Sequence, residues 1–278
     1  IGRNDAHHRA QGDVGNRPTT FSPDGSSLYY LTDNDNEFEY LVKYDISSGE
    51  LETVLTVDWD ISYAYFSKNG KYFIVGINND AKTELRVMNG EDMSPVDLPI
   101  VENAEISGIK ISRDEQHMAF FASASNIPSD LFYHDFSAKE PLQLTRSLNP
   151  QIDPDDLVHG QVKRFSSFDG VEIPGILYKP HQATADNKVP ALVLVHGGPG
   201  GQSRISYSAL IQYLVNHGYA VYAINNRGSS GYGKTFFKMD DRAHGKGDLD
   251  DCVTSKNMLV ETGWVDEEKI GIIGGSYG

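Results

Sequence analysis

A serine flanked by glycines stands in the segment GGSYG, at residues 274–278. Its spacing, G-x-S-x-G, is that of a turn that lifts a nucleophilic serine out of a β-sheet, and the nucleophile would be Ser276. The residues at 269–273 are mostly apolar and predict the strand that such a turn must follow. Because short glycine-rich patterns also arise by chance, Ser276 needs support from elsewhere in the sequence.

A second motif, HGGP at residues 196–199, follows an apolar run at 189–195. Serine hydrolases bind the oxyanion with one backbone N–H from a loop after an earlier strand. The other N–H comes from the residue after the nucleophile, here Tyr277. Paired glycines allow a backbone to approach a substrate closely. The two motifs, in this order, favour acyl transfer by Ser276.

Such a serine also needs a base and an acid. In α/β-hydrolases the chain order is serine, then aspartate or glutamate, then histidine. We therefore expect the catalytic His and Asp to follow Ser276, outside these 278 residues, and none of the nine histidines to be the base. His196 is expected to orient its own loop through hydrogen bonds. The chain is interpreted as a fragment truncated at both ends, without peptidase turnover of its own.

The first half of the sequence repeats with a period of 45 residues. FSPDG at 21–25 recurs as FSKNG at 66–70 and as ISRDE at 111–115. A repeat of this length that holds four short strands is typical of a β-propeller blade. Residues 1–155 are therefore predicted to form about three carboxyl-terminal blades of a partial β-propeller. Three blades cannot close a ring, so we expect further blades before residue 1.

After a connector rich in Pro and Asp, apolar strand-like runs alternate with stretches of helical spacing. This alternation predicts an α/β domain with a mostly parallel sheet over residues 156–278, the amino-terminal part of an α/β-hydrolase domain. The predicted strands lie at 171–178, 189–195, 219–224 and 269–273, and the predicted helices at 207–215 and about 249–260.

The net charge of −15 argues against nucleic-acid binding, and no apolar run reaches the ~18 residues of a membrane span. Cys252 is the single cysteine, which excludes an intrachain disulfide and favours a cytoplasmic over a periplasmic or secreted location. Its place on the apolar face of a predicted helix indicates a core residue. Five aspartates between 240 and 251 lack the His or Cys neighbours of a zinc site, so neither metal nor cofactor is expected. These are Asp240, Asp241, Asp248, Asp250 and Asp251.

Three motifs together, HGGP at 196–199, NRGSSGYG at 226–233 and GGSYG at 274–278, resemble the prolyl oligopeptidase family of serine peptidases. The most similar branch is that of the acylaminoacyl and dipeptidyl peptidases. The resemblance implies a propeller before an α/β-hydrolase domain, and Ser–His–Asp acyl transfer on short peptides that the propeller selects by size. It also implies Ser276 as nucleophile and an oxyanion hole made by the backbone N–H groups of Gly198 and Tyr277.

Two other functions remain open on the sequence. An esterase or lipase of the same fold would use the same elbow and oxyanion loop. A propeller binding protein with a degenerate hydrolase domain would use neither. The propeller repeat favours a peptidase over an esterase, and Ser276 with its oxyanion motifs argues against a purely binding role.

Overall fold

The computed structural model describes residues 14–278, so the first 13 residues of the predicted propeller region lie outside the described part. The chain divides into two compact units. The first comprises Ile1–Asn79, Thr83–Phe121 and Leu131–Leu144, and the second comprises Asp80–Lys82, Ala122–Asp130 and Thr145–Gly278. Two hairpin tips from the first half of the sequence, Asp80–Lys82 and Ala122–Asp130, thus belong to the second unit.

The first unit opens with a four-stranded sheet in which the strands follow one another in chain order. Its strands are β1 (Asn16–Phe21), β2 (Ser27–Thr32), β3 (Tyr40–Asp45) and β4 (Leu51–Leu55). Every neighbouring pair is antiparallel. Chain-order antiparallel strands joined by short loops are what the period-2 patterns and polar turns of this region encode.

The second sheet has three strands in chain order, β5 (Asp60–Phe66), β6 (Tyr72–Asn79) and β7 (Lys82–Asn89). Where a fourth strand would lie, an isolated antiparallel bridge joins Met88 to Pro95. Proline lacks the N–H that a ladder needs, which limits pairing at this edge.

The third sheet has the order β11-β10-β9-β8. Its strands are β8 (Glu105–Ile111), β9 (His117–Ala124), β10 (Ile127–Asp135) and the two-residue β11 (Leu142–Gln143). These three sheets agree with the predicted repeats of short strands, although the second has three strands instead of four and no sheet closes on itself among the described residues.

The 45-residue repeat has a specific cause in the first unit. Ser22, Ser67 and Ser112 each close the same hairpin turn: the serine N–H donates to the carbonyl five residues on. Each serine hydroxyl also accepts the N–H of that fifth residue, at 2.9, 2.9 and 3.1 Å respectively. A small hydroxyl side chain is therefore required at each of these turns.

The third turn differs from the other two at its fourth residue. Gly25 and Gly70 have positive φ there, and Glu115 adopts the same left-handed conformation with φ 56°. This backbone conformation disfavours glutamate. Glu115 is nevertheless buried, and its carboxylate accepts hydrogen bonds from the Ser67 hydroxyl at 2.5 Å and the Asn69 N–H at 2.8 Å. Those two bonds link successive repeats and offset the backbone strain.

The second unit holds a five-stranded sheet of order β12-β13-β15-β14-β16. Its strands are β12 (Gly160–Ser166), β13 (Glu172–Tyr178), β14 (Val189–Val195), β15 (Ala220–Ile224) and β16 (Val265–Gly274). The pairs β14–β15 and β14–β16 are parallel, whereas β12–β13 and β13–β15 are antiparallel. The prediction of a mostly parallel sheet is therefore wrong, because only two of the four strand pairs in this sheet are parallel. The sheet is mixed because the tight turn at 167–170 folds β12 and β13 into a hairpin.

Helices connect the strands of this sheet. They are α1 (Ala209–Asn216), the one-turn α2 (Lys234–Phe237) and α3 (Gly247–Glu261), with 3₁₀ turns at Pro154–Asp156 and Lys238–Asp240. The predicted helices coincide with α1 and α3, and the hydroxyl of Ser208 caps α1 by accepting the Ile211 N–H at 3.4 Å. Cys252 lies in the core cluster beneath the sheet, as predicted from its place on the helix.

No helix within residues 14–278 combines the length and the apolar character that crossing a bilayer requires.

We predict that Glu115→Ala lowers the free energy of unfolding by about 1–3 kcal/mol, because the buried Ser67 hydroxyl and the Asn69 N–H lose their acceptor. Urea denaturation of the first unit measures this. Glu102→Ala, at an exposed position, is the matched control and should change stability by less than about 0.5 kcal/mol. Equal effects of the two substitutions would contradict the assignment of Glu115 as the link between repeats.

Candidate active site

Three parallel strands end level with one another and define the place of the site. Val195, the last residue of β14, pairs with Ile224 at the end of β15 and with Gly274 at the end of β16. In sheets of this kind the crevice outside the carboxyl ends of the strands is where ligands bind. The three predicted motifs begin at these three strand ends, so the sheet gathers them at one edge.

The segment after β16 has the backbone of a nucleophile elbow. Ser276 has φ 59°, an uncommon conformation for a residue other than glycine. Both motif glycines are required by close approach. A Cβ on Gly274 would overlap the backbone of Gly278, and a Cβ on Gly278 would overlap the carbonyl oxygen of Val195. The G-x-S-x-G spacing therefore reflects backbone packing in this structure.

The loop after β14 runs beside Ser276. A Cβ built on Gly197 would lie 3.2 Å from the Cβ and 3.6 Å from the Oγ of Ser276. Gly198 has φ 153°, and a Cβ there would come within 2.7 Å of the Gly201 nitrogen. Glycine at 197 thus keeps a side chain away from the serine, and glycine at 198 allows its own loop to turn tightly.

His196 binds its own loop instead of the serine. Its Nδ1 lies 2.9 Å from the Gly197 carbonyl oxygen and its Nε2 lies 2.9 Å from the Ser229 hydroxyl. Burial lowers the pKa of His196, although the bond to Gly197 opposes this effect. A carbonyl oxygen only accepts, so Nδ1 carries a proton and donates to Gly197. The Ser229 hydroxyl lies between His196 Nε2 and the Asn226 carbonyl oxygen, to which it donates at 2.6 Å. The structure thus agrees with the expectation that His196 orients its loop.

Two contacts of its side chain, with Asp248 and with His244, hold Tyr277 in place. Its hydroxyl donates to Asp248 Oδ2 at 2.7 Å, and its ring meets the His244 ring edge-on at 5.4 Å between centroids. Burial and the hydrogen bond to Asp248 raise the pKa of Tyr277. Asp248, in the first turn of α3, also accepts the N–H groups of Gly245 and Lys246. Although burial raises the pKa of Asp248, these hydrogen bonds lower it overall.

A buried ion cluster holds the loop after β15. Arg227 donates its backbone N–H and Nε to Asp251 Oδ2, both at 2.9 Å, and its Nη2 to Asp251 Oδ1 at 2.8 Å. It also makes a two-pronged contact with Asp169 at 2.7 and 2.9 Å and stacks over the Phe168 ring. Arg227 therefore joins the β15 loop to α3 and to the turn between β12 and β13.

The charges of this cluster stabilise one another. The hydrogen bonds to Asp169 and Asp251 raise the pKa of Arg227, and Arg227 in turn lowers the pKa of Asp169 to about 2. Asp251, fully buried, accepts a fourth hydrogen bond from the Ser167 hydroxyl at 2.6 Å. All four of its lone-pair positions are thus used, which is what a buried carboxylate requires.

The structure brings Ser276, Gly198 and Tyr277 to the same sheet edge. A cavity of about 350 Å³ lies beside Tyr277, and its lining includes Val195 and Gly278 but neither Ser276 nor Gly198. Among residues 14–278, no hydrogen bond joins a histidine to the Ser276 hydroxyl. Sequence reasoning missed the positioning roles of Asp248 and Asp251. Their i, i+3 spacing on one helix was a signal, but it did not reveal their partners.

Comparisons with known proteins agree with this geometry. Residues 205–278 match the family model described as prolyl oligopeptidase family. Dipeptidyl aminopeptidase BIII of Pseudoxanthomonas mexicana is 27% identical over 270 residues, which are 94% of this chain and 39% of that protein. The acylamino-acid-releasing enzyme of Arabidopsis thaliana is 36% identical over 89 residues, which are 32% of this chain and 12% of that enzyme.

The solved structure of a puromycin hydrolase superposes with a TM-score of 0.82 at 22% identity, covering 96% of this chain and 42% of the hydrolase. That similarity shows the fold. Over residues 205–278 the chain is similar to the prolyl oligopeptidase family, the family that the three motifs resemble. The chain spans about two fifths of the length of the relatives that it matches from end to end.

We predict that Asp169→Asn makes stability less dependent on pH at low pH. The folded-state pKa of Asp169, about 2, lies below its ordinary value of 3.8. The stabilisation it provides is therefore complete above about pH 4 and is lost as the pH falls towards 2. Urea midpoints at half-unit pH steps should fall less steeply between pH 4 and 2 in the variant. Asp186→Asn, at an exposed loop position, should keep the wild-type slope, and an unchanged slope in Asp169→Asn would refute the assignment.

Proposed function

We propose that this chain carries the nucleophile and the oxyanion loop of a serine peptidase that hydrolyses short peptides by acyl transfer. One observation carries the proposal. Ser276 stands in a positive-φ turn at the end of β16, and the backbone of Gly197 passes beside its hydroxyl. A strained serine at a sheet edge, next to a glycine loop, is the arrangement that presents a nucleophile and oxyanion donors together.

In the reaction we propose, the Ser276 hydroxyl attacks the scissile carbonyl and the proton passes to a histidine. The backbone N–H groups of Gly198 and Tyr277 donate to the oxyanion of the tetrahedral intermediate. An aspartate orients the histidine. Because both nitrogens of His196 are engaged with Gly197 and Ser229, another histidine serves as base, and in α/β-hydrolases that residue follows the serine along the chain.

We further propose that residues 1–155 are blades of a β-propeller and that residues 156–278 are part of an α/β-hydrolase domain. The proposal of blades is supported by the same turn hydrogen bonding at Ser22, Ser67 and Ser112, 45 residues apart each time. The support for the hydrolase domain is the parallel set β15-β14-β16 with the elbow after β16.

Short peptides are the proposed substrates because the relatives are named as dipeptidyl aminopeptidase, prolyl endopeptidase and acylamino-acid-releasing enzyme. The alternative is an esterase, since the same elbow and oxyanion loop also serve ester hydrolysis. Comparing kcat/KM for an aminoacyl anilide and for the matched p-nitrophenyl ester separates these two activities.

We predict that a fluorophosphonate probe labels the protein expressed from its complete reading frame and that Ser276→Ala abolishes the labelling. Anilide hydrolysis should fall by about 10⁶-fold in the same variant, because removal of the nucleophile leaves only binding and oxyanion stabilisation. The measurements are gel fluorescence of the labelled protein and initial rates.

Ser206→Ala, at an exposed position, is the matched control and should keep both labelling and turnover. His196→Gln should slow labelling without abolishing it, since His196 only positions the loop. Labelling of Ser276→Ala at the wild-type rate would exclude this serine as the nucleophile. Absence of labelling in the wild type would favour a binding protein.

A further inference from the structure

Behind Tyr277 lies a cluster of titratable side chains that the proposed reaction does not use. Asp240 ends the 3₁₀ turn, His244 lies in the loop that follows, and Asp248 lies in the first turn of α3. One ligand atom of each residue lies within 4.8 Å of the others, and His244 Nδ1 is 3.4 Å from Asp240 Oδ2. The sequence expectation that these aspartates lack a histidine neighbour is therefore wrong, because His244 stands midway between them.

Asp240 is the unusual member of the cluster. It is 4% exposed, and its Oδ2 is buried without any hydrogen-bond partner. Burial raises the pKa of Asp240, although the charge of His244 opposes this effect. Asp251, equally buried, accepts four hydrogen bonds. The Oδ2 of Asp240 faces His244 Nδ1 at 3.4 Å, and a buried carboxylate oxygen that accepts no hydrogen bond is costly unless a cation balances it.

The carboxylate of Asp248 can exchange one of its contacts for a metal ion. Its Oδ2 accepts two hydrogen bonds, from Tyr277 and from Gly245, and its Oδ1 accepts one, from Lys246. The Leu249 N–H also approaches this carboxylate, so a metal ion on Oδ1 would bind beside the Lys246 N–H and in exchange for the contact with Leu249. His244 is exposed, so it gives the cluster access to solvent.

We propose that Asp240, His244 and Asp248 bind a divalent transition-metal cation, Zn²⁺ by preference, with its remaining coordination position taken by water. One imidazole and two carboxylates suit Zn²⁺ better than Mg²⁺ or Ca²⁺, which prefer oxygen ligands alone. Tetrahedral zinc with bonds of about 2.0–2.2 Å places its ligand atoms about 3.4 Å apart. The His244 Nδ1–Asp240 Oδ2 separation of 3.4 Å already meets this requirement, and the remaining separations, which are within 4.8 Å, would shorten when the metal binds.

The site would act on Tyr277 through Asp248. Because Asp248 accepts the Tyr277 hydroxyl at 2.7 Å, a cation on its Oδ1 would fix the carboxylate that holds this side chain. The Tyr277 hydroxyl is thus an outer partner of the metal, and such partners commonly change metal affinity by 10- to 100-fold. The proposal does not depend on Ser276 being a nucleophile.

Isothermal titration of the metal-free protein, expressed from its complete reading frame, with ZnCl₂ tests the proposal. We expect one Zn²⁺ per chain at this site, with affinity at least ten-fold weaker in Asp240→Asn and His244→Gln. Asp250→Asn, exposed on the same helix, and His217→Gln, an exposed histidine elsewhere, are the matched controls and should bind as the wild type does. Because His244 is exposed, its variant separates loss of a ligand from loss of folding, which circular dichroism checks.

Co²⁺ provides a second measurement that needs no activity. Bound by this donor set it should give visible d–d absorption that Zn²⁺ displaces, and the absorption should be lost in His244→Gln. Binding that is equal in the wild type, Asp240→Asn and His244→Gln would overturn the proposal, as would the absence of stoichiometric binding. If the wild-type protein binds the metal but has no peptidase activity, the proposed function alone would be refuted.

Discussion

The buried contact between Arg227 and Asp251 is the constraint on which the site depends. Asp251 is fully buried and would be strongly destabilising without Arg227, which supplies three of its four hydrogen bonds. Through Asp169 the same guanidinium reaches the turn between β12 and β13. One cation therefore fixes three elements, the β15 loop, α3 and the β12–β13 hairpin, and α3 in turn holds the side chain of Tyr277 through Asp248. Replacing Arg227 by Lys would keep the charge but would lose the planar geometry that satisfies two carboxylates at once.

Close backbone approach is the second requirement. The elbow after β16 and the loop after β14 meet where Gly278 faces the carbonyl oxygen of Val195 and Gly197 faces Ser276. Neither position has room for a side chain, so the glycines of both motifs serve one interface within the second unit. The backbone strain at Ser276 is maintained because β16 stays paired with β14 up to Gly274, so the chain must reverse direction within the next few residues.

Local patterns in the sequence predicted the elements but not their partners. The apolar run at 189–195 coincides with β14 residue for residue, because a run of apolar side chains indicates a buried strand. The 45-residue repeat coincides with three equivalent turns at Ser22, Ser67 and Ser112. The strand β12 was missed because its sequence, GQVKRFS, is polar on one face and short of apolar residues. The links of Arg227 to Asp169, 58 residues away, and of Ser167 to Asp251, 84 residues away, depend on tertiary packing, which no local pattern encodes. The order of the motifs predicted that Ser276 lies next to the HGGP loop. The physical reason is that β14 and β16 pair in parallel, so the segments that follow these two strands leave the sheet at the same edge.

The distribution of charge around Tyr277 ties these observations together. Asp251 is balanced by Arg227, whereas Asp240 and Asp248 lie near Tyr277 with the exposed His244 beside them. Burial raises the pKa of the Tyr277 hydroxyl, and the hydrogen bond to Asp248 and the charges of Asp248 and Asp240 raise it further. Both carboxylates therefore lie close to the residue whose backbone N–H is proposed to bind an oxyanion. Negative charge close to an oxyanion site opposes the negative charge that develops on the oxygen of an acyl-transfer intermediate. A cation held by Asp240, His244 and Asp248 would cancel that field and satisfy the buried Asp240, so stability and oxyanion binding would benefit from the same ion.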